Sequence, residues 1–145
     1  MGLSHFTASA TTCGVEPGEE LVGKDGLVHI QGRVFTDLVD SLEPRISGTN
    51  RLTVSLDLNP ETGKGSLTAS FVLTPKLGKG SWTGAMSGSL NGMITAEGLA
   101  RGTGDLEGMT AYLSFQQVAE HPAGQPACDD ALAYYRMAGI LLEPT

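Results

Sequence analysis

One pattern recurs through residues 4–142 of this chain: a short run of alternating apolar and polar residues, followed by residues that favour turns. Side chains of a strand alternate between the two faces of a sheet, so each run predicts a strand with one buried face. The strongest turn signal is Asn91-Gly92. Both residues tolerate positive φ, which a two-residue type I′ hairpin needs at both central positions.

Eight strands are predicted from these runs. They cover residues 4–13, 26–36, 48–58, 65–74, 80–90, 93–101, 109–118 and 134–142. Two connections are longer. Residues 37–47 have room for one helical turn. In residues 120–132, which include Pro122, Gly124 and Pro126, Asp129 and Asp130 either cap a short helix or form a turn.

Closure of the sheet is the simplest way to protect its edges. An open sheet would leave two unpaired edge strands, and such edges favour aggregation. The length of 145 residues suits one domain. We therefore predict an all-β fold, a closed eight-stranded antiparallel β-barrel formed by residues 1–145 as a single domain. The interior of such a barrel accommodates side chains or one small ligand.

The charge pattern excludes several classes of partner. The net charge is −7 and the basic residues are dispersed, so neither nucleic acid nor an anionic membrane is an expected partner. No apolar run approaches the roughly 20 residues of a membrane helix. The first residues lack the charged and apolar regions of a secretory signal, so we expect a cytoplasmic location.

Two cysteines, Cys13 and Cys128, stand near opposite ends of the chain. A disulfide between them would join the termini, whereas a cytoplasmic location favours two reduced thiols. No pair of cysteines or histidines has the spacing of a structural zinc motif. We expect no cofactor.

Residues 102–109, Gly-Thr-Gly-Asp-Leu-Glu-Gly-Met, carry a more specific signal, together with the strand that ends Phe115-Gln116-Gln117. The segment resembles the element before the penultimate strand of allene oxide cyclase and dirigent proteins. It is more similar still to a group of uncharacterised bacterial small barrels of that type. The resemblance implies a calycin-like barrel of eight strands that is often oligomeric. It carries over no catalytic residue, because the acidic and polar interior residues of the plant cyclase have no match here.

The inner face of the barrel follows from strand parity, and many of its residues are Ala or Gly. On the second strand it includes Val28, Ile30 and Val34, while His29, Gln31 and Arg33 share the opposite face, which either binds a carboxylate or is simply solvated. The lumen is either an apolar cavity or is plugged by large side chains. The residues expected to contact a ligand are Phe71, Trp82, Met86, Met109, Phe115, Gln117 and Tyr135.

Two of these residues carry polar groups with alternative roles. The amide of Gln117 either orients a bound carbonyl or hydroxyl, or lies in water at the rim of the barrel. Tyr135 is expected to face inward with Met137 and Leu141, where its hydroxyl needs a partner or is that of an ordinary core tyrosine.

The last predicted strand is apolar on both faces. Tyr135, Met137 and Leu141 have one parity, and Ala138, Ile140 and Leu142 have the other. Both faces favour burial, but only one can face the lumen. We therefore predict a homo-oligomer, a dimer or a trimer, that covers the outer face.

The function that fits these features is the binding of a small apolar molecule inside the barrel. One alternative is a cofactor-free cyclase or isomerase, in which the shape of the cavity folds a reactive ligand. Another is an oligomeric protein with a filled core and no catalytic activity. A cavity that holds a carboxylate or histidine with a perturbed pKa would favour the enzyme.

Overall fold

The computed structural model describes residues 2–120 and 128–144, and every regular element in them is a strand. The strands are β1 (Gly2–Glu16), β2 (Glu19–Val22), β3 (Val28–Asp40), β4 (Gly48–Asn59), β5 (Lys64–Pro75), β6 (Gly80–Asn91), β7 (Met93–Gly104), β8 (Thr110–Val118) and β9 (Ala133–Glu143). No helix in this part of the chain is long and apolar enough to cross a membrane.

The first strand closes the sheet. The sheet runs β1-β9-β8-β7-β6-β5-β4-β3-β2, and β1 also pairs with β3. Gly2–Thr12 of β1 lie antiparallel to β9, and Ser9–Glu16 lie antiparallel to β3. Every pairing is antiparallel, so eight strands form a closed barrel and the predicted fold is confirmed.

The short strand β2 was not predicted from the sequence. It pairs with Val28–Gln31, the part of β3 that β1 does not reach. All four of its residues are exposed, so it lacks the buried alternation that reveals the other strands.

A bulge in β3 changes which side chains enter the lumen. Ile30 pairs with Leu56, but the next pair is Arg33 with Val54, so one extra residue stands on β3. Gly32 lies there with a φ of 69°, a conformation that glycine adopts without strain. The placement of Val34 on the inner face is therefore wrong.

The same bulge separates Arg33 from the face of His29, so the prediction that His29, Gln31 and Arg33 share one face is also wrong. His29 faces outward, where its Nδ1 lies 2.6 Å from Oδ1 of Asp57 on β4. This hydrogen bond raises the pKa of His29. The carboxylate that His29 binds thus belongs to the chain itself.

The hairpin at Asn91-Gly92 forms at the predicted place but in another geometry. Asn91 pairs with Met93 across the turn, so Gly92 alone lies between the paired residues. Gly92 has a φ of 77°, and no residue other than glycine has a positive φ in the described ranges. The turn is therefore not type I′.

The connection between β3 and β4 closes one end of the barrel. Its backbone makes a single turn, in which Ile46 N–H and Ser47 N–H donate to the carbonyl of Glu43. The side chain of Ile46 is fully buried. Trp82, also fully buried, donates its indole N–H to the carbonyl of Arg45 at 2.8 Å. The Arg45 guanidinium is held by Glu43 and Glu143.

The second long connection is described only in part. Residues 121–127, with Pro122, Gly124 and Pro126, lie outside the described residues. Asp129 and Asp130 form a turn rather than the cap of a helix, and Leu132 N–H then donates to the carbonyl of Thr12.

Cys13 and Cys128 form a disulfide, so the expectation of two reduced thiols is wrong. Cys13 stands at an irregularity of β1, between Thr12 and Gly14. The bond ties the connection before β9 to the strand that closes the barrel. Disulfides persist mainly in oxidising compartments, so the bond does not favour the cytoplasmic location expected from the sequence.

The outer face of the barrel carries an apolar patch on β1, β7, β8 and β9. Leu99 pairs with Tyr112, which pairs with Ile140, so the three side chains form one cross-strand row. Leu142 and Leu3 form the adjacent pair. We call these five residues the outer patch. Leu99, Tyr112 and Leu3 are each more than 40 % exposed.

The homo-oligomer stays a prediction. The outer patch is the surface through which we expect its subunits to contact one another. Light scattering coupled to size exclusion at micromolar concentration is expected to give two or three chain masses. A charge in the patch, Tyr112→Lys, should reduce this to one mass, whereas Thr68→Lys on the outer face of β5 should not. A wild-type protein of one chain mass would refute the oligomer.

Candidate functional site

The lumen contains a cavity of about 50 Å³ in its half away from the closed end. Its wall is mostly apolar. The lining residues are Thr12, Phe35, Asp37, Leu52, Val54, Leu67, Met86, Ile94, Ala96, Phe115 and Tyr135.

The mouth of the cavity is ringed by apolar side chains that are only partly buried. Phe35, Val54 and Ile94 line the cavity and pack against the core without being covered by it. At the other end, Trp82 and Ile46 are fully buried. The barrel is therefore a cup, closed by the β3–β4 connection and open at an apolar mouth.

A carboxyl group lies at the inner limit of this cavity. Asp37 is two residues beyond Phe35 along β3, toward the closed end, and is 3 % exposed. It is paired with Thr12 of β1, whose hydroxyl donates to Asp37 Oδ1 at 2.6 Å. Burial raises the pKa of Asp37 to about 6, and the hydrogen bond from Thr12 opposes this shift.

Asn50, on the neighbouring strand β4, is a third buried polar side chain beside Thr12 and Asp37. It is the partner of Asp37 in the β3–β4 ladder, so both side chains leave the sheet on its inner face. Asn50 is fully buried, and neither its amide oxygen nor its amide nitrogen has a hydrogen-bond partner in the described part of the chain. Thr12, Asp37 and Asn50 thus form one polar row across three neighbouring strands.

Tyr135 of β9 lines the same cavity. Its burial, and secondarily the charge of Asp37, raises the pKa of its hydroxyl to about 12. Tyr135 is therefore a neutral group that can donate or accept a hydrogen bond at neutral pH.

No basic side chain neutralises Asp37 within residues 2–120 and 128–144, where the ion pairs are those of His29, Arg45 and Arg51. Nor do three His, Cys, Asp or Glu side chains group in a way that could hold a metal ion in these residues. The polar groups that line the cavity are thus one carboxyl group and two hydroxyls, those of Asp37, Thr12 and Tyr135.

Three of the seven predicted ligand-contacting residues line the cavity: Met86, Phe115 and Tyr135. Phe71 lies behind the wall, where its ring meets the edge of Phe115 at a centroid distance of 6.4 Å.

Trp82, Met109 and Gln117 do not reach the cavity. Trp82 contacts the β3–β4 connection at the closed end, and Met109 follows the turn around Leu106 near the same end. The Gln117 amide oxygen accepts a hydrogen bond from Ile94 N–H at 2.9 Å, beyond the last β7–β8 pair. Its amide therefore supports the end of a strand.

The polar row was not predicted from the sequence. Parity alone would have found two of its members, because Thr12 shares the parity of Ala10, and Asn50 that of Leu52. The parity of the predicted strands did not place Asp37 on the inner face. The bulge at Gly32 reverses the parity of β3, and Asp37 was assigned to a loop, whereas β3 continues to Asp40.

No protein-family model, curated protein or solved structure matches this chain. The function of the candidate site is therefore inferred from the positions and the chemistry of its own residues.

The buried carboxyl group predicts a specific pH dependence of stability. Because the pKa of Asp37 is about 6 in the folded protein and 3.8 ordinarily, the folded state holds this proton more tightly. The contribution to stability is full below about pH 4 and is lost as the pH rises through about 6. Relative to wild type, Asp37→Asn should gain on the order of 3 kcal/mol in free energy of unfolding between those limits.

Urea unfolding at a series of pH values measures this difference. The control is Glu97→Gln, which changes an exposed carboxylate on the outer face of β7. If the free energy of unfolding of Asp37→Asn changed with pH in parallel with that of wild type, Asp37 would have the pKa of a solvent-exposed carboxyl group, which would contradict this prediction.

Proposed function

We propose that the barrel binds a small, mainly apolar molecule in its cup. The observation that carries this proposal is the set of partly exposed apolar side chains, Phe35, Val54 and Ile94, around a cavity that the core leaves unfilled. Covering such a surface with a ligand is favourable by about 25 cal/mol per Å² of apolar area removed from water.

The size of the cavity narrows the kind of ligand. About 50 Å³ is well below the roughly 150 Å³ of an apolar cavity that holds benzene. A ligand would therefore enter with a narrow end, such as an unbranched chain, and leave its remainder between the side chains of the mouth.

The resemblance of residues 102–109 to allene oxide cyclase-like barrels supports the same proposal. The resemblance implies a calycin-like barrel of eight strands, a size at which the interior can hold one small ligand, and the closed antiparallel barrel is compatible with membership of that bacterial group. The chain is proposed as a member on the basis of this segment and its fold.

A matched pair of variants tests the binding proposal. In ¹⁵N-labelled protein, 1-hexanol should shift the amide signals of residues around the cavity. Ala96→Leu adds three carbons to a cavity-lining position and should weaken binding at least about tenfold, because it occupies the cavity. Ala85→Leu makes the same change on the exposed outer face of the neighbouring strand and should leave binding unchanged.

Two results would contradict the proposal. One is that hexanol causes no saturable shifts around the cavity. The other is that Ala85→Leu and Ala96→Leu weaken binding equally, because hexanol would then bind to a general apolar surface.

Asp37 favours a second candidate function, a cofactor-free isomerase or cyclase. A carboxyl group with a pKa of about 6 in an apolar cavity is suited to move a proton near neutral pH. In such a reaction the ionised carboxylate would take a proton from a carbon next to a carbonyl group and return it at another position.

Deuterium exchange separates the two candidates. If Asp37 acts as a base, wild-type protein in D₂O should accelerate loss of the α-proton signals of 2-hexanone in ¹H NMR spectra. Asp37→Asn should exchange at the rate of the buffer alone, while still binding 1-hexanol. A wild-type rate equal to that of the variant would leave Asp37 as a binding group only.

A further inference from the structure

The inner end of the cavity is rich in hydrogen-bond acceptors. The Thr12 hydroxyl donates its one proton to Asp37 Oδ1, which leaves the second carboxylate oxygen without a donor from Thr12. The Tyr135 hydroxyl, on the same cavity wall, is able to accept a hydrogen bond.

The same end of the cavity has no cation. The charged or titratable groups around Asp37 are few: Tyr135 from β9, and Arg33 on β3 itself, while β1 and β4 contribute Thr12 and Asn50. Arg33 stands four residues away, roughly 13 Å along an extended strand, and its Nε donates to the carbonyl of Pro17 at the exposed rim. An ionised Asp37 is thus a buried charge without a counter-ion among the described residues.

We propose that Asp37, together with the hydroxyls of Thr12 and Tyr135 on the same cavity wall, binds the head of a primary ammonium ion whose unbranched apolar tail extends to the mouth. This inference rests on the proposed function and names the class of its ligand. An ammonium group has three donors and no acceptor, which complements a carboxylate and two hydroxyl oxygens. Its compact shape suits a cavity of about 50 Å³.

Other head groups fit this end less well. A carboxylate would be repelled by Asp37 and would find few donors. An alcohol has a single donor and no charge, so it would leave the Asp37 charge uncompensated. The selectivity should therefore follow the order ammonium, alcohol, carboxylate.

The selectivity should also depend on pH. Alkylammonium groups stay charged up to about pH 10, whereas Asp37 loses its proton near pH 6. The preference for the amine should therefore be present above about pH 7 and disappear below about pH 5. The bound ammonium should in turn lower the pKa of Asp37.

Three probes of equal chain length test the proposal: hexylamine, 1-hexanol and hexanoate. At about pH 7.5, wild-type protein should bind hexylamine at least about tenfold more tightly than 1-hexanol, and hexanoate most weakly, as followed by amide shifts. Asp37→Asn should lose the amine preference, so that hexylamine binds no more tightly than 1-hexanol, because the carboxylate that distinguishes the two head groups is gone. Glu97→Gln, which removes an exposed carboxylate from the outer face, should keep the preference.

The outcomes separate this inference from the proposed function. Equal binding of hexylamine and 1-hexanol by wild-type protein would overturn the ammonium site and leave the apolar cup intact. An amine preference that survives in Asp37→Asn, or falls equally in Glu97→Gln, would overturn it in favour of general attraction to an acidic protein. Binding of none of the three probes would overturn the proposed function itself.

The pH series needs no variant, so it remains decisive even if Asp37→Asn folds poorly. An amine preference in wild-type protein that is unchanged from about pH 7.5 to about pH 4.5 would contradict a site built on the Asp37 carboxylate.

Discussion

The pairing of β1 with β3 is the constraint on which the rest of the structure depends. It places Ser9–Glu16 beside Val34–Asp40 and turns a sheet with two open edges into a barrel. It also creates the polar row, because Thr12 meets Asp37 only across this seam. Without the seam, the apolar inner side chains would lie on an exposed face and Asp37 would be an ordinary surface carboxylate.

A single glycine decides which side chains the seam brings inside. The bulge at Gly32 reverses the alternation of β3, so Phe35, Asp37 and Val39 face the lumen. Had the alternation continued from Ile30, Val34 would face the lumen and Asp37 the solvent. A small change of backbone thus exchanges an apolar position for a buried carboxyl group with a pKa of about 6.

The fold was largely predictable, because its strands alternate regularly. Met86 and Phe115 were assigned to the lumen from parity alone, and β6 and β8 contain no bulge between paired residues. Asp37 was not predictable, because a bulge is a property of strand pairing that local alternation does not record. The Cys13–Cys128 disulfide was not favoured from the sequence for a related reason: its partners are 115 residues apart, and only closure brings them together.

The apolar cup and its polar inner end are two consequences of one geometry. Partly buried side chains at the mouth favour an apolar guest, and the uncompensated carboxyl group restricts what the guest can carry at its inner end. Both depend on β1 occupying the place between β9 and β3. The most direct test is therefore a set of backbone NOEs in the free protein. The account predicts that β1 protons show cross-strand NOEs to both neighbours, Thr11 to Tyr134 of β9 and to Leu38 of β3. NOEs to β9 without NOEs to β3 would mean an open sheet and would contradict the account.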